Sequence, residues 1–161
     1  MSKFARVLAV VCFTPAQLCA PLIVEDINRA TEVVRVQAYN LTSPSICAAL
    51  EHAHDRGVNV LVVVDKSQTQ TRSCARALSE AGVAVLIDHK PAIAHNKIIV
   101  IDDKTVIGGS YNYTENAERR NAENVTWITD PKIVSAFIEN WTSRASQSMP
   151  FDEYVATHKK K

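Results

Sequence analysis

His95 and Lys97 stand two residues apart at the entrance to the apolar run Ile98-Ile99-Val100-Ile101. In an extended chain, residues i and i+2 point to one face, so an imidazole and an ammonium project together. That pairing suits a phosphate, because it sets a nucleophile or proton donor beside a fixed positive charge. Gly108-Gly109-Ser110-Tyr111-Asn112 follows at the end of the next short apolar run. Ser110 and Asn112 share parity and can offer a hydroxyl and an amide to phosphate oxygens. The paired glycines Gly108 and Gly109 let backbone approach an anion closely. Asp102 has the opposite parity to His95 and lies in Asp102-Asp103-Lys104, which reads as a hairpin turn. Its expected role is to order that turn rather than to touch reacting atoms.

Written in full, the spacing is H-x-K-x4-D-x6-G-S-x-N, and it occurs once. Either half alone is weak evidence. Six specified positions together would coincide in a random chain of this size on the order of once in a million. The pattern resembles the signature of the phospholipase D superfamily, and the chain resembles that family's short, single-motif bacterial endonucleases over roughly residues 5–144. The resemblance implies an α/β fold: a mixed, largely parallel β-sheet flanked by helices on both faces. It also implies a homodimer whose motifs meet at the interface. His95 of one subunit would attack phosphorus to form a phosphohistidine, and His95 of the other would protonate the leaving oxygen and then activate water. Lys97 and Asn112 would hold the phosphate oxygens. Glu123 would accept a hydrogen bond from His95 and fix its tautomer, with Ser110 as a supporting contact to phosphate or to Glu123. The chemistry implied needs no metal and no cofactor.

The motif recognises a phosphodiester, not a base, so the leading expectation is a nuclease acting on DNA or RNA with little sequence preference. A lipid phosphodiesterase would use identical chemistry, and phospholipid stays open as a substrate. A third reading, of another class, is a non-catalytic binder of phosphorylated polymers; it would not need the nucleophile. Lys66, Arg72, Lys90, Arg119 and Arg120 fall in loops near predicted strand ends or just past the motif. They read either as a basic rim tracking a nucleic-acid backbone or as ordinary solvated charge. His89 could border the site. His52 and His54 read as helix-surface residues.

Positioning these groups falls to an alternation of short apolar runs and helical stripes. Strands are expected over 6–13, 33–39, 58–64, 83–87, 98–101, 105–107 and 125–128. One helix is expected within 16–30, with Thr14 and Gln17 at capping-box spacing. Others begin near Ser43-Pro44, cover about 73–81, and begin at Asp130-Pro131. In the last, Val134, Phe137, Ile138 and Trp141 fall at i, i+3, i+4, i+7 and should pack on the sheet.

With 161 residues, 47% hydrophobic, the chain fits one domain, expected over 1–150 with a tail at 151–161. A net charge of +1 confines any phosphate affinity to a focused site. No apolar run reaches the roughly 18 residues that span a membrane. Lys3 and Arg6 before an apolar run faintly imitate a signal peptide, but a first strand is preferred. Cys12, Cys19, Cys47 and Cys74 show no zinc spacing and read as small buried hydrophobes in a reduced, cytoplasmic protein. Their even number keeps a periplasmic, disulfide-bonded alternative open.

Overall fold

The computed structural model describes residues 10–158. Its strands are β1 (Val10–Thr14), β2 (Val33–Ala38), β3 (Asn59–Asp65), β4 (Ala84–Asp88), β5 (Lys97–Ile101), β6 (Thr105–Gly109), β7 (Glu123–Ile128) and β8 (Met149–Pro150). The helices are α1 (Ala20–Arg29), α2 (Pro44–Asp55), α3 (Ala75–Glu80), α4 (Glu115–Arg119), α5 (Pro131–Ala145) and α6 (Phe151–Thr157). Six expected strands match observed ones to within two residues at each end; the expectation for 6–13 lies partly outside the described residues.

All eight strands form one sheet in the order β1-β7-β6-β5-β2-β3-β4-β8. The sheet is mixed, as expected, but its parallel part is confined to β2-β3-β4. The other five neighbouring pairs are antiparallel, which corrects the expectation of a largely parallel sheet. The reason lies in the connections. Parallel neighbours need a crossover that runs back along the sheet, and α2 and α3 supply one for each parallel pair.

Helices cover both faces unequally. Ile23, Ile27, Ile46, Leu50 and Leu78 of α1, α2 and α3 pack with Val36, Val62 and Ile99 on one face. On the other, α5 alone lays Val134 and Trp141 over Val63, Ile98, Val100 and Val106. Asp130 caps α5 by accepting from the amides of Lys132 and Ile133. The Trp141 indole N–H, trapped in this dry layer, donates to the Val36 carbonyl at 2.9 Å. Beyond α5, the same face continues over β7 and β1, where Val11 pairs with Thr126 and Phe13 with Asn124. Val11 is 41% and Phe13 55% exposed there.

Three further expectations are corrected. The first helix lies within the expected range but begins at Ala20, beyond the expected Thr14–Gln17 capping box, with Pro21 in its first turn, where a missing N–H is harmless. Gln17 does not cap it. Its side chain accepts from the Phe13 amide at 2.7 Å and its own amide donates to the Phe13 carbonyl at 2.9 Å, closing a turn at the cis Thr14-Pro15 bond. The residues from 151 are not a tail as far as 157: Phe151 is 1% exposed in the core, and Tyr154 and Val155 pack against it. The four cysteines are paired rather than reduced, Cys12 with Cys19 and Cys47 with Cys74, at Cα separations of 5.8 and 6.1 Å.

Candidate active site

The β5–β6 hairpin sets the site's frame. Asp102 and Asp103 occupy the left-handed region at φ 49° and 55°, and the Lys104 amide closes the turn on the Ile101 carbonyl at 2.9 Å. Two consecutive residues of positive φ match the twist of a two-residue hairpin, and aspartate tolerates that region better than most side chains. The Asp102 carboxylate accepts from the amides of Thr31, Glu32 and Val33, at 2.8 Å for Glu32, and from the Thr31 hydroxyl. Partial desolvation alone would raise its pKa, but these donors outweigh it and hold the carboxyl below the usual range. Asp102 therefore welds the turn to the start of β2. It lies at the far end of β5 from Lys97, roughly 17 Å along the strand.

His95 enters at the opposite end. The buried Asp65, last residue of β3, accepts from the Ser67 amide at 2.9 Å and from the Ala94 amide at 2.8 Å, fixing the loop just before His95. The Tyr39 amide donates to the Asn96 carbonyl at 3.0 Å. The Tyr39 ring packs on the His95 imidazole with centroids 4.6 Å apart, leaving His95 exposed on its other side. Lys97 is buried; its ammonium donates to the His95 carbonyl at 2.8 Å and lies 5.4 Å from the Tyr39 ring centre. Burial pushes the Lys97 pKa below its ordinary value, opposed by the negative charge of Glu123.

The glycines end β6. Gly109 is required by packing rather than by an anion, because a Cβ there would collide with the Asn124 carbonyl. The Ser110 amide donates to that same carbonyl at 3.1 Å. The Ser110 hydroxyl donates to Glu123 at 2.5 Å and accepts from the Asn124 amide at 3.1 Å. Asn121 donates to the other Glu123 oxygen at 2.9 Å. Among the described residues Glu123 has no hydrogen bond to His95, so within one chain the expected tautomer contact is replaced by Ser110 and Asn121. Tyr111 anchors the motif from below: its hydroxyl donates at 2.9 Å to the buried Glu118, which also accepts the Cys19 and Ala20 amides at the start of α1. Burial and that carboxylate push the Tyr111 hydroxyl well above its usual range, so it stays a donor.

His95, Lys97, Gly108, Gly109 and Asn124 line one cleft of about 420 Å³, walled on the α5 side by Ile98, Val106, Ile128 and Phe137. Asn112 lines a second cleft of about 440 Å³ with Asn40, the residue after Tyr39. Its side-chain oxygen is buried without a partner. Of the expected rim, Arg72 alone lines this second cleft. The Lys66 ammonium is tied to the Pro91 carbonyl at 3.0 Å, and Arg119 to Glu115 at 3.0 Å. Lys90 and Arg120 are exposed. His89 turns away from the site, packing on Tyr154 of α6 at 5.6 Å. Tyr39 and Asp65 were missed. Each is the polar or aromatic residue at the carboxyl end of a parallel strand, where α/β sheets place their sites, and that was the available signal.

Comparison with known proteins identifies the family and the fold. Residues 23–144 match the family model described as "Cardiolipin synthase, PLD-like domain". A "Phospholipase D" of Rickettsia prowazekii is 42% identical over 149 residues, 92% of this chain and 73% of its own length. A "Mitochondrial cardiolipin hydrolase" of Chlamydomonas reinhardtii is 32% identical over 77% of this chain and 55% of its own length. Among solved structures, Nuc from Salmonella typhimurium, a phospholipase D family member, superposes with a TM-score of 0.83 at 32% identity, covering 89% of this chain and 97% of that one.

Proposed function

This chain belongs to the phospholipase D superfamily and is a phosphodiesterase; from that premise we propose that it is a metal-independent endonuclease acting as a homodimer. The observation that carries the substrate class is the second cleft. It opens at Asn112, and each of its lining side chains is polar. That surface suits the sugar and base of a nucleoside.

The reaction runs in two displacements. A neutral His95 attacks phosphorus, forming an N–P bond as the P–O bond to the leaving nucleoside breaks, and the partner's His95 gives that oxygen its proton. The partner's imidazole, now neutral, takes a proton from water. The hydroxide displaces His95 and releases a phosphomonoester. Lys97 and Asn112 offset charge on the phosphate oxygens. One chain has one such histidine, so the second copy must seat beside it. The bare sheet face over β7 and β1, with Val11 and Phe13 exposed next to Thr126 and Asn124, gives that copy an apolar surface adjoining His95.

The test is turnover of single-stranded DNA, duplex DNA and phosphatidylcholine vesicles by pure protein in excess chelator, beside His95→Ala. The expected result is nucleic-acid cleavage that the chelator spares and the variant loses. Restoration only by magnesium would overturn the mechanism. A second reading, lipid hydrolysis, draws on the apolar wall formed by Ile98, Val106, Ile128 and Phe137 beside His95. Turnover of vesicles alone would select it. Paired cysteines fit an oxidising compartment such as the periplasm, and we place the protein there.

A further inference from the structure

We propose that the cleft beside Asn112 binds the nucleoside flanking the scissile phosphate and reads its base, giving the enzyme a preference for a purine at that position. This rests on the nuclease reading and goes beyond it, since phosphodiester chemistry alone predicts cutting without regard to sequence.

The cleft's volume, about 440 Å³, lies within the range of small-ligand sites. All twelve lining side chains are polar, and six are carboxamides: Asn40, Gln68, Gln70, Asn112, Asn116 and Asn121. A carboxamide presents a donor and an acceptor side by side, which is the pattern on the N6/N7 edge of adenine; arginine's fork matches the O6/N7 edge of guanine. A pocket for a phosphate or a sulfate would instead gather cations. Here, among the described residues, Arg72 is the one cation, and the one carboxylate, Glu115, is held by Arg119.

Part of the lining is pre-set. Gln68 is 4% exposed; its oxygen accepts the Leu41 amide at 3.0 Å and its nitrogen donates to the Asn40 side-chain oxygen at 2.9 Å. The Asn40 carbonyl accepts the Tyr113 amide at 3.1 Å. Asn40 is thus locked through backbone and side chain, with its own NH₂ group making no hydrogen bond among the described residues. The position fits the chemistry. Asn112 joins the cleft to the catalytic motif, and Asn40 follows Tyr39, whose ring lies on His95. A phosphate held by His95, Lys97 and Asn112 leaves its neighbouring nucleoside facing these amides.

The test digests a random-sequence single-stranded oligonucleotide with the full chain, sequences the new ends, and follows hydrolysis of bis(4-nitrophenyl) phosphate in parallel. Gln70→Ala and Asn116→Ala are compared with the parent; both residues are exposed, and a nitrophenyl ester carries no base edge for a carboxamide to read. The expected result is a purine enrichment of about tenfold at one position next to the cut. That enrichment flattens in the variants while reporter hydrolysis stays within about twofold, which also shows that they fold. Even base usage by the parent, with the oligonucleotide cut, overturns the subsite and leaves the nuclease reading standing. Enrichment unchanged in both variants overturns it too. Reporter hydrolysis with an intact oligonucleotide overturns the nuclease reading itself, and the subsite with it.

Discussion

The Lys97 ammonium rests on the carbonyl of His95, 2.8 Å away, so the charge proposed to meet the phosphate is held at the backbone of the proposed nucleophile. One donor is used there and two remain for phosphate oxygens. Burial lowers the Lys97 pKa, and Glu123 works against that shift. Two results should follow. In an NMR titration of the free protein, Lys97 should lose its proton at lower pH than the exposed lysines. Glu123→Gln should move that midpoint further down, because it removes the charge that favours the ammonium. A midpoint unmoved in Glu123→Gln would show that the carboxylate does not govern Lys97. Lys97→Ala should cost about 10²–10³ in kcat.

Asp102 separates structure from catalysis. Its folded pKa lies below the unfolded value, so its contribution to stability is fully present above the ordinary aspartate pKa. The contribution is lost as the pH falls through the lowered pKa. Asp102→Asn keeps a side chain suited to the left-handed turn but removes the charge shared by the amides of Thr31, Glu32 and Val33. We expect a loss of about 1–3 kcal/mol at neutral pH, and a weaker acid-side decline in stability. At temperatures where the variant is folded, kcat should change only a few fold. A loss of 10² or more would place Asp102 in the chemistry.

These two residues also show what the sequence made legible. The hairpin could be read because its signals are local: β-branched runs on either side of Asp102-Asp103, and parity within five residues. The α5 stripe was legible for the same reason, through the spacing of Val134 and Trp141. What escaped depends on contacts between distant segments. The parallel content hinges on which strands become neighbours. The pairing of Cys47 with Cys74 joins residues 27 apart. The amide cleft assembles Asn40, Gln70, Asn112 and Asn121 from four loops, of which the Asn112 loop carries the motif and the other three show no signal of their own. The capping box ahead of α1 was misread because Gln17 satisfies Phe13 instead of a helix end. Phe151 looked like tail because nothing local reveals its place in the core.

The cysteine pairs make a measurable demand. Protein made in an oxidising compartment should show no free thiol under denaturing alkylation, and reduction should expose four. Cys47–Cys74 closes the longer loop, and its reduction should cost about 3.5 kcal/mol in the chain-entropy picture; Cys12–Cys19 closes a much shorter one and should cost less. Thermal unfolding of Cys47→Ala/Cys74→Ala and of Cys12→Ala/Cys19→Ala measures each. Full thiol reactivity in protein never exposed to reductant would return the cysteines to the role of plain core residues.

Phe13 tests the second copy. It lies 55% exposed on a strand face that α5 leaves uncovered, paired across the ladder with Asn124, which lines the His95 cleft. In the proposed dimer, a partner's apolar surface would cover this exposed aromatic beside His95. Phe13→Glu puts a charge where that surface would sit, at a position more than half exposed and outside both core clusters, so the fold should survive. Sedimentation should show the parent as a dimer and the variant shifted to monomer at micromolar concentration. Turnover per chain should fall with dilution in the parent, and do so at higher concentration in the variant, because one chain supplies a nucleophile without the acid that must protonate the leaving group. Turnover independent of concentration, in a protein that sediments as a monomer, would mean that a single His95 suffices and that the two-histidine mechanism is wrong.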